Sequence, residues 1–283
     1  MKPVPPPNWD ACEDYDAIVE DKHTGRRARL RSLRSTVRRA FKRYRERAAA
    51  DQLWRQAPAR SIGASDSNDL LHCYNTPTQS MKDLRRRLEQ LVAGRACPYC
   101  GFGEITELDH YFPKVTFPEL AVCAYNLIPC CHRCNNIRGE YDWTARQGAS
   151  VIHVFYEDID TNNHFLKAAW SFKGDQPDFG FSVKIDPRQP FSARLAQHVE
   201  TLKLVDRFAV QAVGEVTDLV MDLNGALENC EEGTEAAFVM RFIQQRAQAR
   251  KARHGANHWE VAFYRAASSQ GAAKFLIRRA RAS

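Results

Sequence analysis

The 283-residue chain has no apolar run long enough to span a bilayer. Its opening stretch, Met1-Lys2-Pro3-Val4-Pro5-Pro6-Pro7, lacks the apolar centre of a secretory leader. A membrane-embedded or exported protein is therefore not expected, and a cytoplasmic one is. No Gly-x-x-x-x-Gly-Lys-Ser/Thr phosphate loop occurs, so the chain does not itself supply an ATPase of that class. No internal repeat is visible. Acidic residues are scarce in one stretch: residues 21–60 hold fourteen Lys or Arg against only Asp21, Glu46 and Asp51, a local charge of +11. With a total of +7, the rest of the chain carries −4. A basic block on a mildly acidic remainder suits binding to a phosphate backbone, which makes nucleic acid the expected partner.

What is present reads as a globular chain, with 44% hydrophobic and 27% charged residues and enough length for a substantial core. Of nine cysteines, six (Cys97, Cys100, Cys123, Cys130, Cys131, Cys134) crowd into one short segment. In a reducing compartment clustered thiols are more often metal ligands than disulfides. Cys12, Cys73 and Cys230 stand apart and read as small buried hydrophobes.

Leu30, Leu33, Val37, Phe41 and Tyr44 recur at helical spacing and predict one long amphipathic helix over 25–50 with a basic outer face. Arg26, Arg27, Arg38, Arg39, Lys42 and Arg43 on it are the candidate backbone contacts. Residues 57–69 are rich in turn formers and read as a loop. A second basic helix is expected over 80–93. Val151–Tyr156 is β-branched and aromatic. Ala168–Lys173 and Phe179–Ile185 flank Gly174-Asp175-Gln176-Pro177-Asp178 and predict a hairpin. Helical periodicity returns after Pro187 to about Leu227, then over 234–253 and 258–268. The fold class is α+β in three regions: a basic, mainly helical 1–90, a metal-binding module at 91–145, and a strand-then-helix region at 146–283.

The module carries the chemistry. Cys97-Pro98-Tyr99-Cys100 and Cys131-His132-Arg133-Cys134 are two Cys-x-x-Cys pairs, each able to give two thiolates to one tetrahedral zinc. Cys130 competes with Cys131, and the two-residue spacing favours Cys131. Between and just beyond the pairs lie Leu108-Asp109-His110, then Asn126-Leu127-Ile128-Pro129, then Asn135. Phosphodiester hydrolysis needs a base that titrates near neutrality, which is histidine. It also needs a hard cation held by oxygen donors, which Asp and Asn supply.

On these residues the segment resembles the HNH endonucleases, the ββα-metal nucleases, as an H-N-N variant with Asn135 where many relatives have His. The resemblance spans about forty residues. It implies His110 as general base, Asp109 and Asn135 as ligands of a catalytic Mg²⁺ or Mn²⁺, and Asn126 as the residue orienting His110. It also implies a separate structural zinc on Cys97, Cys100, Cys131 and Cys134. More loosely, the segment resembles HNH subunits of bacterial anti-phage systems of the Septu type, which implies a defence role and an ATPase subunit as partner. DNA is the expected substrate and RNA the alternative, since the attacked phosphate is the same group. The main rival is a non-catalytic nucleic-acid-binding or partner-docking protein. His72, His153, His164 and His198 read as core or surface residues, and His132 as exposed. His258-Trp259-Glu260 lacks the following Cys pair that a zinc deaminase would need.

Overall fold

A computed structural model describes residues 2–139, 150–174, 176–228, 230–231 and 233–282. The expected boundary near 145 lies outside the described residues. The chain divides into two compact units, Pro3–Asp158 and Ile159–Ser283, the latter together with the first two residues. No helix among the described residues is long and apolar enough to cross a membrane. The mixture of helices with small antiparallel sheets is α+β.

The first unit opens with α1 (Ala11–Glu20), started by the Asp10 side chain accepting from the Cys12 amide. The single helix expected over 25–50 is two, α2 (Thr24–Ser32) and α3 (Arg34–Ala49), hinged at Leu33. Leu30, Val37, Phe41 and Tyr44 are all buried, so the break leaves the apolar face intact. The expected loop over 57–69 ends early, because α4 (Ala64–Asn75) begins inside it. α5 (Gln79–Gln90) buries Met81, Leu84 and Leu88. The strands β1 (Glu107–His110) and β2 (Leu127–Cys130) pair antiparallel, with Asp109 opposite Ile128 and His110 opposite Leu127. α6 (His132–Arg138) follows directly. Val151–Tyr156 forms no strand. Val151, Ile152 and Val154 are wholly buried, and the Val154 carbonyl accepts from the Val4 amide. Their β-branched bulk serves the core without a sheet edge to join. His153 is a core residue, 2.8 Å from the Tyr44 hydroxyl, and burial pushes its pKa down to about 3.

Five arginines of the basic block pair with three carboxylates from elsewhere in the chain. Arg26 and Arg29 grip Asp69 of α4, Arg31 pairs with Glu20, and Arg34 and Arg38 share Asp16 of α1. Asp69 is buried, and the Arg29 hydrogen bond leads the effects that hold its carboxyl below the usual range. Asp69→Ala should cost about 1–2 kcal/mol at pH 7, the partners being half-exposed and screened. Because the folded pKa is depressed, this contribution is present above the unfolded value near 4 and is lost as pH falls through it toward the lower folded value. Urea unfolding at pH 7 and at pH 3 checks it. A deficit of the same size at both values would refute the assignment.

The second unit holds the hairpin β3 (Leu166–Lys173) and β4 (Gln176–Val183), then α7 (Pro190–Thr201), α8 (Leu204–Leu227), α9 (Glu235–His254), α10 (Trp259–Ala267) and α11 (Gln270–Ala282). The hairpin turn is tighter than expected, since Lys173 already pairs with Gln176. Asp175 lies outside the described residues. The helix expected through to Leu227 breaks at Leu202–Lys203, where Lys203 takes a left-handed φ of 50°. Cys73 is buried as expected, but Cys12 and Cys230 are only half-buried.

Candidate metal centre and cleft

Cys97 and Cys100 come from the turn ahead of β1, and Cys131 and Cys134 from the start of α6. All four are buried, and their sulfurs lie within 4.8 Å of one another. The Cys100 and Cys131 sulfurs are 3.8 Å apart. That matches the edge of a tetrahedron of ~2.3 Å zinc–sulfur bonds, which is ~3.8 Å. Backbone amides of Gly103 and Cys134 point at Cys100 Sγ and Cys131 Sγ, as they would at thiolates. Bonds from the neighbouring thiols pull Cys131 well below a normal thiol pKa, whereas burial holds Cys97 up. The cluster can hold a zinc ion, which would relieve this crowding by taking all four as thiolates. Cys130, the competing candidate, is buried outside the cluster.

Gly103 closes this site. A Cβ there would lie 2.7 Å from Cys131 Cβ and Sγ, both fixed by the cluster. Gly103→Ala should therefore cost ~1–3 kcal/mol and raise the zinc off-rate, as forced overpacking does. Melting and chelator competition would show this. An unchanged zinc off-rate would count against the metal centre.

Beside the cluster opens a cleft of about 460 Å³, lined by Glu107, Asp109, His110 and Asn135 with Tyr74, Arg85 and Lys114. His110 ends β1 and Asn135 lies on α6, so the β1–β2 pair and α6 bring them together. The His110 Nε2–H donates to the Ala121 carbonyl at 2.9 Å, a bond that assigns the tautomer. Nδ1 keeps its lone pair, and no described residue bonds it. Burial pushes the imidazole pKa down to about 4, below the near-neutral titration expected from the sequence, so the ring is neutral at pH 7. The Tyr74 ring stands edge-on 4.3 Å from it, and the Tyr74 hydroxyl donates to the Leu108 carbonyl.

Asp109 is drawn inward more than expected. Its Oδ2 accepts from Tyr99 and from the fully buried guanidinium of Arg138, which also holds the His110 and Tyr111 carbonyls. Only Oδ1 is left for a cation. Asn135 donates through Nδ2 to Glu107, keeping its own oxygen. The other oxygen of Glu107 accepts from His132, which is exposed but not idle. Asn126 is wholly buried. It accepts from the Phe112 amide at 2.8 Å and donates to the Phe112 and Leu120 carbonyls. It thus staples the loop whose next carbonyl, Ala121, holds His110, and it does not touch the ring.

The six expected backbone contacts lie away from this cleft. Arg26 and Arg38 are ion-paired, and Arg27 donates to the Lys22 carbonyl. Lys42 faces Glu46 at 3.8 Å. Arg39 and Arg43 have no ion pair among the described residues. The cations at the cleft are Arg85 and Lys114, which sequence reasoning passed over. It also missed Glu107, Tyr74 and Arg138. A signal existed for Arg138, one helical turn after Asn135 and hence on the same face.

No protein-family model matches the chain, and no solved structure matches it significantly. Among curated proteins it is similar to protein ea31 of Escherichia phage lambda, 24% identical over 158 residues. That match covers 53% of this chain and 50% of ea31. It is also similar to Septu protein PtuB of Bacillus thuringiensis, 36% identical over 89 residues, or 29% of this chain and 32% of PtuB. The chain spans about half or less of the curated relatives it matches.

Proposed function

We propose that this chain is a metal-dependent endonuclease of the HNH type that hydrolyses phosphodiester bonds of nucleic acid, DNA before RNA. The observation that carries this is the His110 imidazole in the cleft, neutral and fixed through Nε2, with Nδ1 free to take a proton from water. The order of β1, β2 and α6 around a four-cysteine cluster able to bind zinc supports a ββα-metal core. Asp109 Oδ1 and the Asn135 side-chain oxygen, with Glu107 beside them, are the donors assigned to a hard divalent ion such as Mg²⁺ or Mn²⁺, which would supply positive charge to the phosphate and leaving oxygen. Arg85 and Lys114 at the rim add fixed charge for the flanking backbone. Asn126 is a positioning residue, acting through the Ala121 carbonyl. The likeness to Septu protein PtuB supports a role in bacterial anti-phage defence, and an ATPase subunit is the partner proposed for it.

The test is incubation of supercoiled plasmid and structured RNA with Mg²⁺, Mn²⁺ or EDTA, comparing the wild-type chain with Asn135→Ala. Divalent-dependent nicking is expected from the wild type. The variant should lose it while keeping zinc and melting temperature. Equal cleavage by both proteins, or cleavage unaffected by EDTA, would defeat the metal assignment. Preference for the RNA would move the substrate, not the chemistry.

A further inference from the structure

The strongest concentration of positive charge outside the basic block at 21–60 lies at the chain's end. Residues 236–283 hold ten Lys or Arg against the single acid Glu260, a local +9. Several of these are spoken for: Arg246 pairs with Asp222, Arg250 with Glu215 and Glu260, and Arg281 with Glu235. One group in the second unit is not. Lys167 sits on β3, Lys184 just beyond β4, and Arg265 on α10, which packs against β3. None of the three has a carboxylate within 4.0 Å among the described residues.

Their placement is fixed by the fold. The Lys184 amide donates to the Phe165 carbonyl at 2.8 Å, extending the hairpin register by one pair. Residues opposite each other share a face and so do residues two apart, so Lys184 and Lys167 are diagonal neighbours on one face. Lys251 closes the group from the end of α9. Its ammonium donates to the Asn162 carbonyl, and His164 lies beside it against the Ala256 carbonyl. The nearest acid, Asp160, is engaged by the amides of Asn162 and Asn163.

This grouping has an energetic cost. Lys167 is half-buried, and burial together with Arg265 and Lys184 drives its pKa down. His164 is shifted the same way by burial, Arg265, Lys251 and Lys167. Arg246, Arg250 and Arg281 of the same unit are each answered by an acid within 4.0 Å. Here no acid closes within 4.0 Å among the described residues; Asp160 and Asp186 act only at longer range, on Lys251 and Lys184, and leave a positive excess that an external anion would relieve.

We infer that Lys167, Lys184, Lys251 and Arg265 form a binding face on the second unit for the phosphate backbone of nucleic acid, separate from the cleft. The proposal rests on the nuclease reading only for choosing nucleic acid among polyanions. With cations of both kinds and no aromatic ring exposed between them among the described residues, the face suits duplex backbone, where phosphates recur along both strands, without base readout.

The experiment uses the full chain carrying His110→Ala, with a fluorescent 20-base-pair duplex, and reads anisotropy across a salt series. Reversing the two exposed charges, as Lys184→Glu with Arg265→Glu, should weaken binding at least tenfold at 0.1 M salt. The slope of log affinity against log salt should fall by about two, near 0.9 per phosphate contact removed. Lys167→Gln, checked by circular dichroism, should act in the same direction. Unchanged affinity and slope in folded variants would overturn the proposal. So would poly-glutamate of equal charge competing as well as the duplex, which would reassign the face to an acidic protein. Binding is scored without cleavage, so a wild-type chain that binds here but never cuts would sink the nuclease reading and leave this face standing.

Discussion

Cys97→Ser is expected to leave the chain without its zinc and without a cooperatively folded first unit. Cys97 is wholly buried, and its sulfur belongs to a cluster spanning 4.8 Å. Zinc binding in small four-cysteine units contributes ~10–16 kcal/mol, which is folding energy when the site does not exist in the unfolded chain. A whole domain is typically stable by about 5–15 kcal/mol. Losing one of four ligands removes enough of that to unfold the turn before β1 and the start of α6. The turn leads into β1, which carries Glu107, Asp109 and His110, and α6 carries Asn135, so any cleavage should vanish with the fold. Metal analysis and thermal melting decide the matter. One zinc per chain and an unshifted melt in the variant would mean that the ligands are misassigned.

His110→Ala should behave differently, retaining zinc and fold while losing about 10²–10⁴ of the cleavage rate, the usual contribution of a positioned general base. The ring leaves a gap beside Tyr74 and frees the Ala121 carbonyl, so a modest loss of stability is expected too. The readout that separates chemistry from packing is the single-turnover rate of nicking supercoiled plasmid at saturating enzyme. A rate equal to wild type would remove His110 from the mechanism and favour a binding protein over an enzyme. Partial recovery with added imidazole would strengthen the assignment.

The module was legible because its information is local. Two Cys-x-x-Cys pairs need only their spacing to reach one ion, and a His, an Asn and a second Asn in the right order need only a hairpin and a helix. What the sequence hid was long-range. The basic stretch looks unopposed because Asp16, Glu20 and Asp69 lie outside it, and nothing in local composition shows that they fold back onto Arg26, Arg31 or Arg38. The hinge at Leu33 is invisible because 30, 33, 37, 41 and 44 keep their spacing across it. Helix α4 was lost among Ser, Asp and Asn because it buries only Asp69, Leu70 and Cys73. With it went Tyr74, which no motif marks and which reaches the cleft only through the packing of α4. The pull of Arg138 on Asp109 was equally hidden, since it joins residues 29 apart.

The partner that holds His110 is a main-chain oxygen, and Asn126, which secures that stretch, also binds only main chain. The aim of the imidazole is therefore set by the path of the backbone between Phe112 and Ala121, which the buried side chains of Phe112, Phe117 and Leu120 hold in place. Outward-facing positions such as Val115, 56% exposed, can be rewritten freely without disturbing the ring. Adapting the cleft to a new substrate and keeping its base in register are thus separable engineering problems on this chain.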